Sequence, residues 1–325
     1  MKLLLKIISL SILVSILPAS CTDDYGKDSS EFKQDMRNFV QGISLYAKSI
    51  DTNFIIIPQN GQELVTDNGD TDGDAVLEYL QAIDGVGRED LYYGYNRDNK
   101  ETPQKEIEYM TVFLDLCEDY GVEVLTTDYC RDVSKMEDSY AKNNQKGYIS
   151  FAAPDRELNL IPQSPSKPYN ENKADIHSLS DARNFLYLLN PENFSDKKDF
   201  ITSIRATNYD LIIMDMFFDD EEFTAAEINQ LKQKQNGGER LVISYMSIGE
   251  AEEYRYYWNS NWKEGNPSWI EKENPNWEGN FKVRYWKPEW QNIIYGSEKA
   301  YLNKILNAGF DGVYLDIIDA FEYFE

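Results

Sequence analysis

Short runs of apolar residues recur along the chain, and each run ends in polar or charged residues. Several runs are almost continuously apolar, which is typical of parallel strands buried on both faces. LYYGY (91–95) competes with the second run for the same strand. The eight runs interpreted as strands are NFIIIPQNG (53–61), AIDGVGRED (82–90), VEVLTTDYC (122–130), GYISFAAP (147–154), NFLYLLN (184–190), YDLIIMDMFF (209–218), RLVISYMSIGE (240–250) and DGVYLDIID (311–319).

Helical periodicity falls between several of these runs. Apolar residues three or four positions apart predict helices over 31–50 and around 107–116. A capping-box pattern at 224–227 opens a helix, and a glycine closes another over 301–309. Eight strands that alternate with helices predict an α/β fold, a single (β/α)8 TIM barrel over residues 31–325. Almost nothing follows the eighth strand, so we expect the first helix to cover it.

The first twenty residues have the pattern of a signal peptide, with Lys2 and Lys6 around the apolar stretch LLLKIISLSILVSIL. The small residues before Cys21 resemble a bacterial lipobox, although Pro18 stands where that pattern has leucine. Residues 21–30 then form a polar tether. We expect a lipid on Cys21, export, and attachment to the outer membrane or cell surface through this anchor alone. Plain secretion is the alternative.

The formal charge of the chain is −25, and no basic cluster is present. Nucleic acids and anionic lipid surfaces both need clustered Lys and Arg, so the composition argues against both and favours cationic partners. The alternative is that the acidic charge only keeps an exported protein soluble. Cys117 and Cys130 either pair in an oxidising compartment or remain two free buried thiols.

The chain has one histidine, His177, in a polar stretch that we interpret as a solvated loop. Zinc sites built on several histidines are therefore excluded, and no GxSxG motif supports a Ser-His-Asp triad. The run 68–73 opens like a calcium-binding EF-hand loop, but its twelfth position is Tyr79, so the pattern fails. We expect no metal and no cofactor, and any catalysis must use carboxylates.

All six tryptophans lie in one polar segment, residues 258–290, which is the longest gap between predicted strands. Acidic motifs flank the segment on both sides. Indole and phenol rings stack on the apolar faces of sugars. We therefore expect a saccharide to contact Tyr245 of the seventh strand, and Trp258 and Trp286 of a long loop between the seventh and eighth strands. The alternative is that the rings belong to the core.

Acidic side chains stand at five of the six strand ends that we inspected. In a barrel of this kind the active site lies at the carboxyl ends of the strands. Converging carboxylates raise one another's pKa, as a general acid at neutral pH requires. Some of these acids are expected instead to cap helices or to form structural pairs, and Arg255 is a candidate partner for one of them. The strand ends carry Gln59 with Asn60, Glu89 with Asp90, Asp128, Asp215, Glu250, and Asp316 with Asp319.

Three long motifs resemble the endo-α-1,4-polygalactosaminidase family of glycoside hydrolases and its bacterial barrel relatives: SYMSIGEAEEYRYYW, ENPNWEGNFKVRYW and GFDGVYLDIIDAFEY. FIIIPQNGQEL and VEVLTTDYC resemble later segments of the same barrel. In typical relatives the strand that resembles NFLYLLN comes first, and the half with PQNG follows the half with YLDIID. The order is reversed here, which indicates a circular permutation that keeps the strand ends on one rim.

The resemblance implies an acid on the YLD strand and a glutamate two strands further round the ring. Carried over, it makes Asp316 the nucleophile and Glu89 the general acid/base. Asp215 and Glu250 would then bind the amino group of an α-linked, galactosamine-containing polysaccharide. We also place Gln59, Asn60, Asp128, Arg255 and Asp319 among the substrate-binding residues. The competing hypothesis is a surface lipoprotein that binds a glycan without cleaving it.

Overall fold

The computed structural model describes residues 27–325, so the predicted signal peptide and Cys21 lie outside the described residues. Each of the eight predicted strands is present in this part of the chain. LYYGY is not a strand. The eight strands are β1 Ile55–Pro58, β2 Gly85–Glu89, β3 Glu123–Tyr129, β4 Ile149–Ala153, β5 Phe185–Leu188, β6 Leu211–Met214, β7 Leu241–Ser247 and β8 Gly312–Asp316.

These strands form two parallel sheets, one in the order β1-β8-β7-β6-β5 and one in the order β2-β3-β4. The first and last strands are neighbours, because Ile55 pairs with Gly312 in parallel register. A single bridge between Gln59 and Gly87 joins β1 to β2. Within residues 27–325 no ladder pairs β4 with β5, where the rings of Phe151 and Phe185 lie 5.7 Å apart. Hydrogen bonds therefore do not close the predicted barrel.

Helices lie between most strands, and the predicted ones are present. Asp28 caps the first helix, and a capping box formed by Thr224 and Glu227 opens the sixth. The helices are α1 Ser29–Ile50, α2 Leu77–Leu80, α3 Gln104–Asp119, α4 Val133–Lys146, α5 Lys197–Arg205, α6 Ala225–Leu231, α7 Pro288–Ile294 and α8 Tyr301–Ala308.

Helix α1 covers the junction between the two ends of the described chain. Its Phe32 ring stacks on Phe324, with ring centroids 5.5 Å apart, and the helix also contacts α8. The buried face of α1 includes Met36, Phe39, Val40 and Ile43. Burial of this apolar stripe explains why the helix packs against α8 and against residues 318–323, which follow β8.

The segment between β7 and β8 is folded, whereas the sequence predicted a long loop. It contains a three-stranded antiparallel sheet of Glu250–Glu252, Asn280–Val283 and Ile270–Glu273, in that order. Helices α7 and α8 follow this small sheet. The sheet stands directly after β7, so it forms a wall beside the carboxyl ends of the strands.

Cys117 and Cys130 are both free and buried, so the alternative of two separate thiols is confirmed. Their pKa values are raised to about 12 by burial, which keeps the thiols protonated. His177 is exposed, in agreement with the predicted solvated loop. No helix in residues 27–325 has the length and apolar character needed to cross a membrane.

Candidate active site

Three neighbouring strands, β8, β1 and β2, end in the same way at one rim of the molecule. Asp316 is the last residue of β8, Gln59 follows β1, and Glu89 is the last residue of β2. The next residue on each strand has a positive φ of about 60°: Ile317 at 58°, Asn60 at 60° and Asp90 at 61°. Asn and Asp adopt this left-handed conformation readily, whereas a β-branched isoleucine is strained in it. The strain at Ile317 therefore lies directly beside the carboxylate that the sequence predicts to be catalytic.

Asp316 is a half-buried carboxyl at the floor of a cleft. The Tyr245 hydroxyl donates a hydrogen bond of 2.7 Å to its Oδ2. Burial raises the pKa of Asp316 to about 7, and the negative charge of Glu89 adds to this increase. Near neutral pH this carboxyl therefore exchanges a proton readily.

Glu89 accepts three hydrogen bonds from side chains. Gln59 Nε2 donates to its Oε2 at 2.7 Å, and Asn60 Nδ2 donates to the same oxygen at 3.1 Å. The Tyr129 hydroxyl donates to Oε1. Donors therefore reach both oxygens of the Glu89 carboxylate and fix its position in the cleft.

Arg255 holds two carboxylates at the wall of the cleft. Its Nη1 and Nη2 donate to the two oxygens of Asp215 at 2.8 and 2.7 Å, and its Nε donates to Glu252 at 2.7 Å. From the sequence we expected Arg255 to pair with a carboxylate or to bind the substrate. The structure places it in the first role, so the charge of Asp215 is compensated within the protein.

Glu250 and Asp319 also line the cleft, and neither forms an ion pair among the described residues. Asn274 Nδ2 donates to Glu250 Oε1 at 2.8 Å. Burial raises the pKa of both carboxyls. Both acids are therefore available to a cationic ligand.

The cleft between these residues has a volume of about 530 Å³ and is strongly acidic. A larger depression of about 800 Å³ lies on the outer surface beside α5 and α6 and contains none of the predicted site residues. Eight carboxylates and two guanidinium groups line the cleft: Glu89, Glu157, Asp215, Asp219, Glu250, Glu252, Asp316 and Asp319, with Arg156 and Arg255.

Asp128 does not line this cleft, so its predicted role in substrate binding is wrong. Its carboxylate is buried beneath β3, where the backbone N–H groups of Tyr92 and Tyr93 donate to Oδ1. Ser139 and Asn143 on α4 donate to Oδ2. The carboxylate is fully engaged in holding α4 and the loop after β2 against the strand.

Side-chain alternation explains why Asp128 and Tyr129 have different roles. Successive residues of a strand point to opposite faces, so the residue after Asp128 points into the ring of strands. The Tyr129 hydroxyl reaches Glu89 from there. Tyr187 on β5 and Tyr245 on β7 point inwards in the same way and contact Gln59 and Asp316. Counting every second residue back from the end of each strand would have identified Tyr129 and Tyr187 as residues that face the inside of the ring.

Most of the tryptophans pack against protein. Trp286 contacts Phe32 and Phe324, and Trp258 stacks on Phe281, outside the cleft. The predicted sugar contacts of Trp258 and Trp286 are therefore wrong for this cleft. Trp269 and Trp290 are buried, and Trp262 packs against Trp258 and Trp269.

Trp277 and Tyr254 are the large aromatic side chains that stand exposed at the rim of the cleft, 57% and 58% accessible respectively. Trp277 lies in the turn between two strands of the small sheet. Composition could not predict its position, because only the fold of the segment between β7 and β8 distinguishes it from the other five tryptophans. This segment is called the insertion below. Trp277 gives the cleft an open indole face.

Within residues 27–325 no group of three or more His, Cys, Asp or Glu side chains is placed to hold a metal ion. The run 68–73 is an exposed loop in which Asn68 Nδ2 donates to Asp72. Tyrosine, amide or guanidinium donors engage five of the cleft acids, which are Glu89, Asp215, Glu250, Glu252 and Asp316.

Residues 171–325 match the model of the glycoside-hydrolase family GH114. An uncharacterized protein of Methanocaldococcus jannaschii is 40% identical over 156 residues, which cover 47% of this chain and 41% of that protein. Uncharacterized proteins of Deinococcus radiodurans and Thermotoga maritima are 41% and 35% identical over 123 and 120 residues, covering 38% and 37% of this chain and 37% and 36% of theirs. The chain thus spans about two fifths of the length of these curated relatives. The matched half supports a glycoside hydrolase and contains Asp316, whereas Glu89 lies outside it.

Proposed function

We propose that the protein is a glycosidase that hydrolyses an α-linked polysaccharide rich in galactosamine units whose amino groups are not acetylated. Asp316 and Glu89 would be its two catalytic carboxyls. One observation carries the proposal. A half-buried acid whose pKa is raised to about 7 shares a cleft with a second acid held by three donors. Paired carboxyl groups of this kind are the usual machinery of glycosidic bond cleavage.

In the proposed mechanism Glu89 protonates the glycosidic oxygen while an Asp316 oxygen attacks the anomeric carbon. The bond to the leaving sugar breaks, and a glycosyl ester forms on Asp316. Glu89, now ionised, takes a proton from water, and the water oxygen displaces Asp316 to release the second product. This sequence retains the anomeric configuration.

The reaction requires the proton of the pair to lie on Glu89. The charge of Glu89 contributes to the raised pKa of Asp316, so an ionised Glu89 favours a proton on Asp316. An ammonium group of the substrate close to Asp316 favours its ionised form, and we propose that the proton released from Asp316 passes to Glu89. In this proposal the ammonium group of a cationic substrate favours the protonation states that cleavage requires, an ionised Asp316 and a protonated Glu89.

The charges of the cleft support an amino sugar as the substrate. Arg255 compensates Asp215 and Glu252, and Arg156 pairs with Asp90 and Asp98. The remaining cleft carboxylates have no guanidinium partner among these pairs. Glu250 and Asp319 are the groups that we propose hold substrate ammonium groups, while Asp215 acts through Arg255.

We further propose that the chain is a circularly permuted barrel with 31–325 as one domain. The family match begins at residue 171, just before β5, and continues through β8. Parallel pairing of β1 with β8 provides the junction that such a permutation needs. The proposed lipid anchor on Cys21 and export to the cell surface rest on the sequence, and detection of acylated Cys21 by mass spectrometry of the mature N-terminal peptide tests both.

The decisive assay incubates the purified protein with partially deacetylated galactosaminan and follows chain length by chromatography and mass spectrometry. The glycosidase proposal predicts shortened oligosaccharides that carry new reducing ends. Tight binding with intact chains would instead support the non-catalytic glycan-binding lipoprotein.

Substrates with different leaving groups distinguish the role of Glu89 from that of Asp316. An aryl glycoside with a very acidic phenol needs little protonation, so Glu89→Gln should still form the glycosyl ester from it while losing activity on the polymer. Asp316→Asn should lose activity on both substrates. If Glu89→Gln loses both activities and Asp316→Asn keeps the aryl glycoside reaction, the two roles are exchanged.

A further inference from the structure

Gln59 connects Glu89 to a tyrosine on the opposite side of the ring of strands. Its Nε2 donates to Glu89 Oε2 at 2.7 Å, and its Oε1 accepts a hydrogen bond of 2.9 Å from the Tyr187 hydroxyl. Gln59 and Tyr187 are buried, 4% and 2% exposed. The amide therefore contacts the acid at one end and a fixed donor at the other.

The two ends of a carboxamide are chemically different, so its orientation decides what Glu89 meets. In the observed orientation an N–H of Gln59 points at the carboxylate. The reversed orientation would place the amide oxygen against a carboxylate oxygen, which is repulsive unless Glu89 carries a proton. The hydroxyl of Tyr187 stabilises the observed orientation because it donates to Oε1.

We propose that Tyr187 is a positioning residue for the acid/base: it fixes the Gln59 amide so that an N–H group faces Glu89 throughout the reaction. The inference rests on the proposed function for its kinetic consequence. The fixed N–H stabilises the carboxylate that Glu89 becomes once it has protonated the leaving sugar. Tyr187 itself touches neither Glu89 nor Asp316 through a hydrogen bond within the described residues.

The chain offers a matched control in Tyr314. This tyrosine lies on β8 with its ring 5.2 Å from that of Tyr187, and both are buried inside the ring of strands. The Tyr314 hydroxyl is buried without a hydrogen-bond partner among the described residues. A Tyr→Phe change removes the same oxygen atom at either position, but only the change at Tyr187 removes a hydrogen bond.

The first experiment follows the Glu89 carboxyl directly by ¹³C NMR titration of glutamate-labelled protein, with the signal assigned from Glu89→Gln. In Tyr187→Phe we expect the Glu89 titration to move to higher pH by about 0.5–1 unit, because the freed amide reverses when Glu89 is protonated. In Tyr314→Phe the titration should match wild type. An unchanged titration in Tyr187→Phe, or an equal change in Tyr314→Phe, overturns the inference.

The second experiment measures polymer cleavage against pH for the same variants. Tyr187→Phe should lower kcat by roughly tenfold and move the pH profile in the direction of the NMR shift. In a Gln59→Met background, Tyr187→Phe should have no further effect on the titration, since it acts through Gln59. A further effect there would contradict the inference. If wild type cleaves no galactosaminan while the NMR difference is present, the proposed function fails and the positioning of Glu89 by Tyr187 stands.

Discussion

Asp316 stands in an environment that lowers the stability of the folded protein when the carboxyl is ionised. It is half-buried, it receives a hydrogen bond from Tyr245, and it precedes a strained isoleucine with φ 58°. A pKa raised to about 7 means that the folded protein prefers the neutral acid more strongly than the unfolded chain does. The contribution of Asp316 to the free energy of unfolding is therefore fully present below a pH of about 4, and it is lost as the pH rises through about 7.

This loss predicts a pH-dependent gain in stability for Asp316→Asn. At pH 8 the variant should be more stable than wild type by about 1–3 kcal/mol, because the uncharged amide avoids the buried negative charge. At pH 5, where folded Asp316 is protonated, the gain should be smaller. Chemical unfolding at the two pH values measures the difference. Asp70→Asn, in an exposed loop outside the cleft, is the control, and an equal gain at both pH values would contradict the assignment.

The sequence predicted the main acids of the cleft, but it did not predict the role of a residue where the direction of its side chain decides that role. Asp316, Glu89, Gln59, Asn60, Asp215, Glu250 and Asp319 all line one cleft. Asp128 was included because it ends an apolar run, although it points away from the ring and Tyr129 points into it. Residue type at a strand end is readable from the sequence, whereas the exact last residue of the strand decides which face it occupies.

At the scale of elements, the small sheet between β7 and β8 shapes one wall of the cleft. Arg255 follows the first strand of this sheet and joins Glu252 to Asp215, which comes after β6. The guanidinium also lies over the rings of Tyr254 and Tyr301 at 5.2 and 5.6 Å. It therefore fixes the insertion to the parallel strands.

Removing this guanidinium should destabilise the protein, because the buried Glu252 and the half-buried Asp215 would lose their partner. Arg255→Met should lower the free energy of unfolding by about 3–5 kcal/mol. Lys304→Met removes an ion pair with the exposed Glu222 and should cost less than about 1 kcal/mol. Denaturant unfolding measures both. Similar small losses in the two variants would show that Arg255 does not hold the wall in place.

The insertion also separates one tryptophan that faces the cleft from those that pack against protein. Trp277→Ala should raise KM for the polymer by roughly 2–10-fold with little change in kcat, because it removes a stacking surface at the rim. Trp258→Ala should leave KM unchanged and lower the thermal midpoint, since Trp258 stacks on Phe281. Steady-state kinetics and thermal unfolding test the pair. An unchanged KM in Trp277→Ala would remove this residue from the substrate site.

The sequence predicted the strands far better than this insertion. Buried parallel strands are marked by dense apolar runs, and all eight were found within residues 27–325. Residues 248–311 are polar and rich in aromatic residues, a composition compatible with both a loop and a small antiparallel sheet. Which ring faces solvent depends on how that sheet packs, and the local sequence does not determine this.

Part of the acidic charge of the molecule converges on one cleft. The chain carries a formal charge of −25, and the cleft is lined by eight carboxylates and two arginines. Such a field attracts a cationic polymer over distances limited by salt screening. The overall charge could be read from the sequence, but its convergence in one cleft depends on the parallel arrangement of the strand ends.

Cleavage of a cationic polymer should therefore depend on ionic strength. For partially deacetylated galactosaminan, kcat/KM should fall severalfold between about 50 and 300 mM salt. A fully N-acetylated polymer should be a poorer substrate with little dependence on salt. Initial rates across a salt series test both statements. A preference for the acetylated polymer would contradict the role proposed for Glu250 and Asp319.

Release of reducing ends from galactosaminan tests whether Asp316 and Glu89 together hydrolyse glycosidic bonds. Wild type and Asp70→Asn should produce reducing ends at equal rates. Asp316→Asn and Glu89→Gln should each lower the rate by at least about 10²-fold, with the fold of each variant verified by circular dichroism. Folded variants that release reducing ends as fast as wild type would contradict the claim.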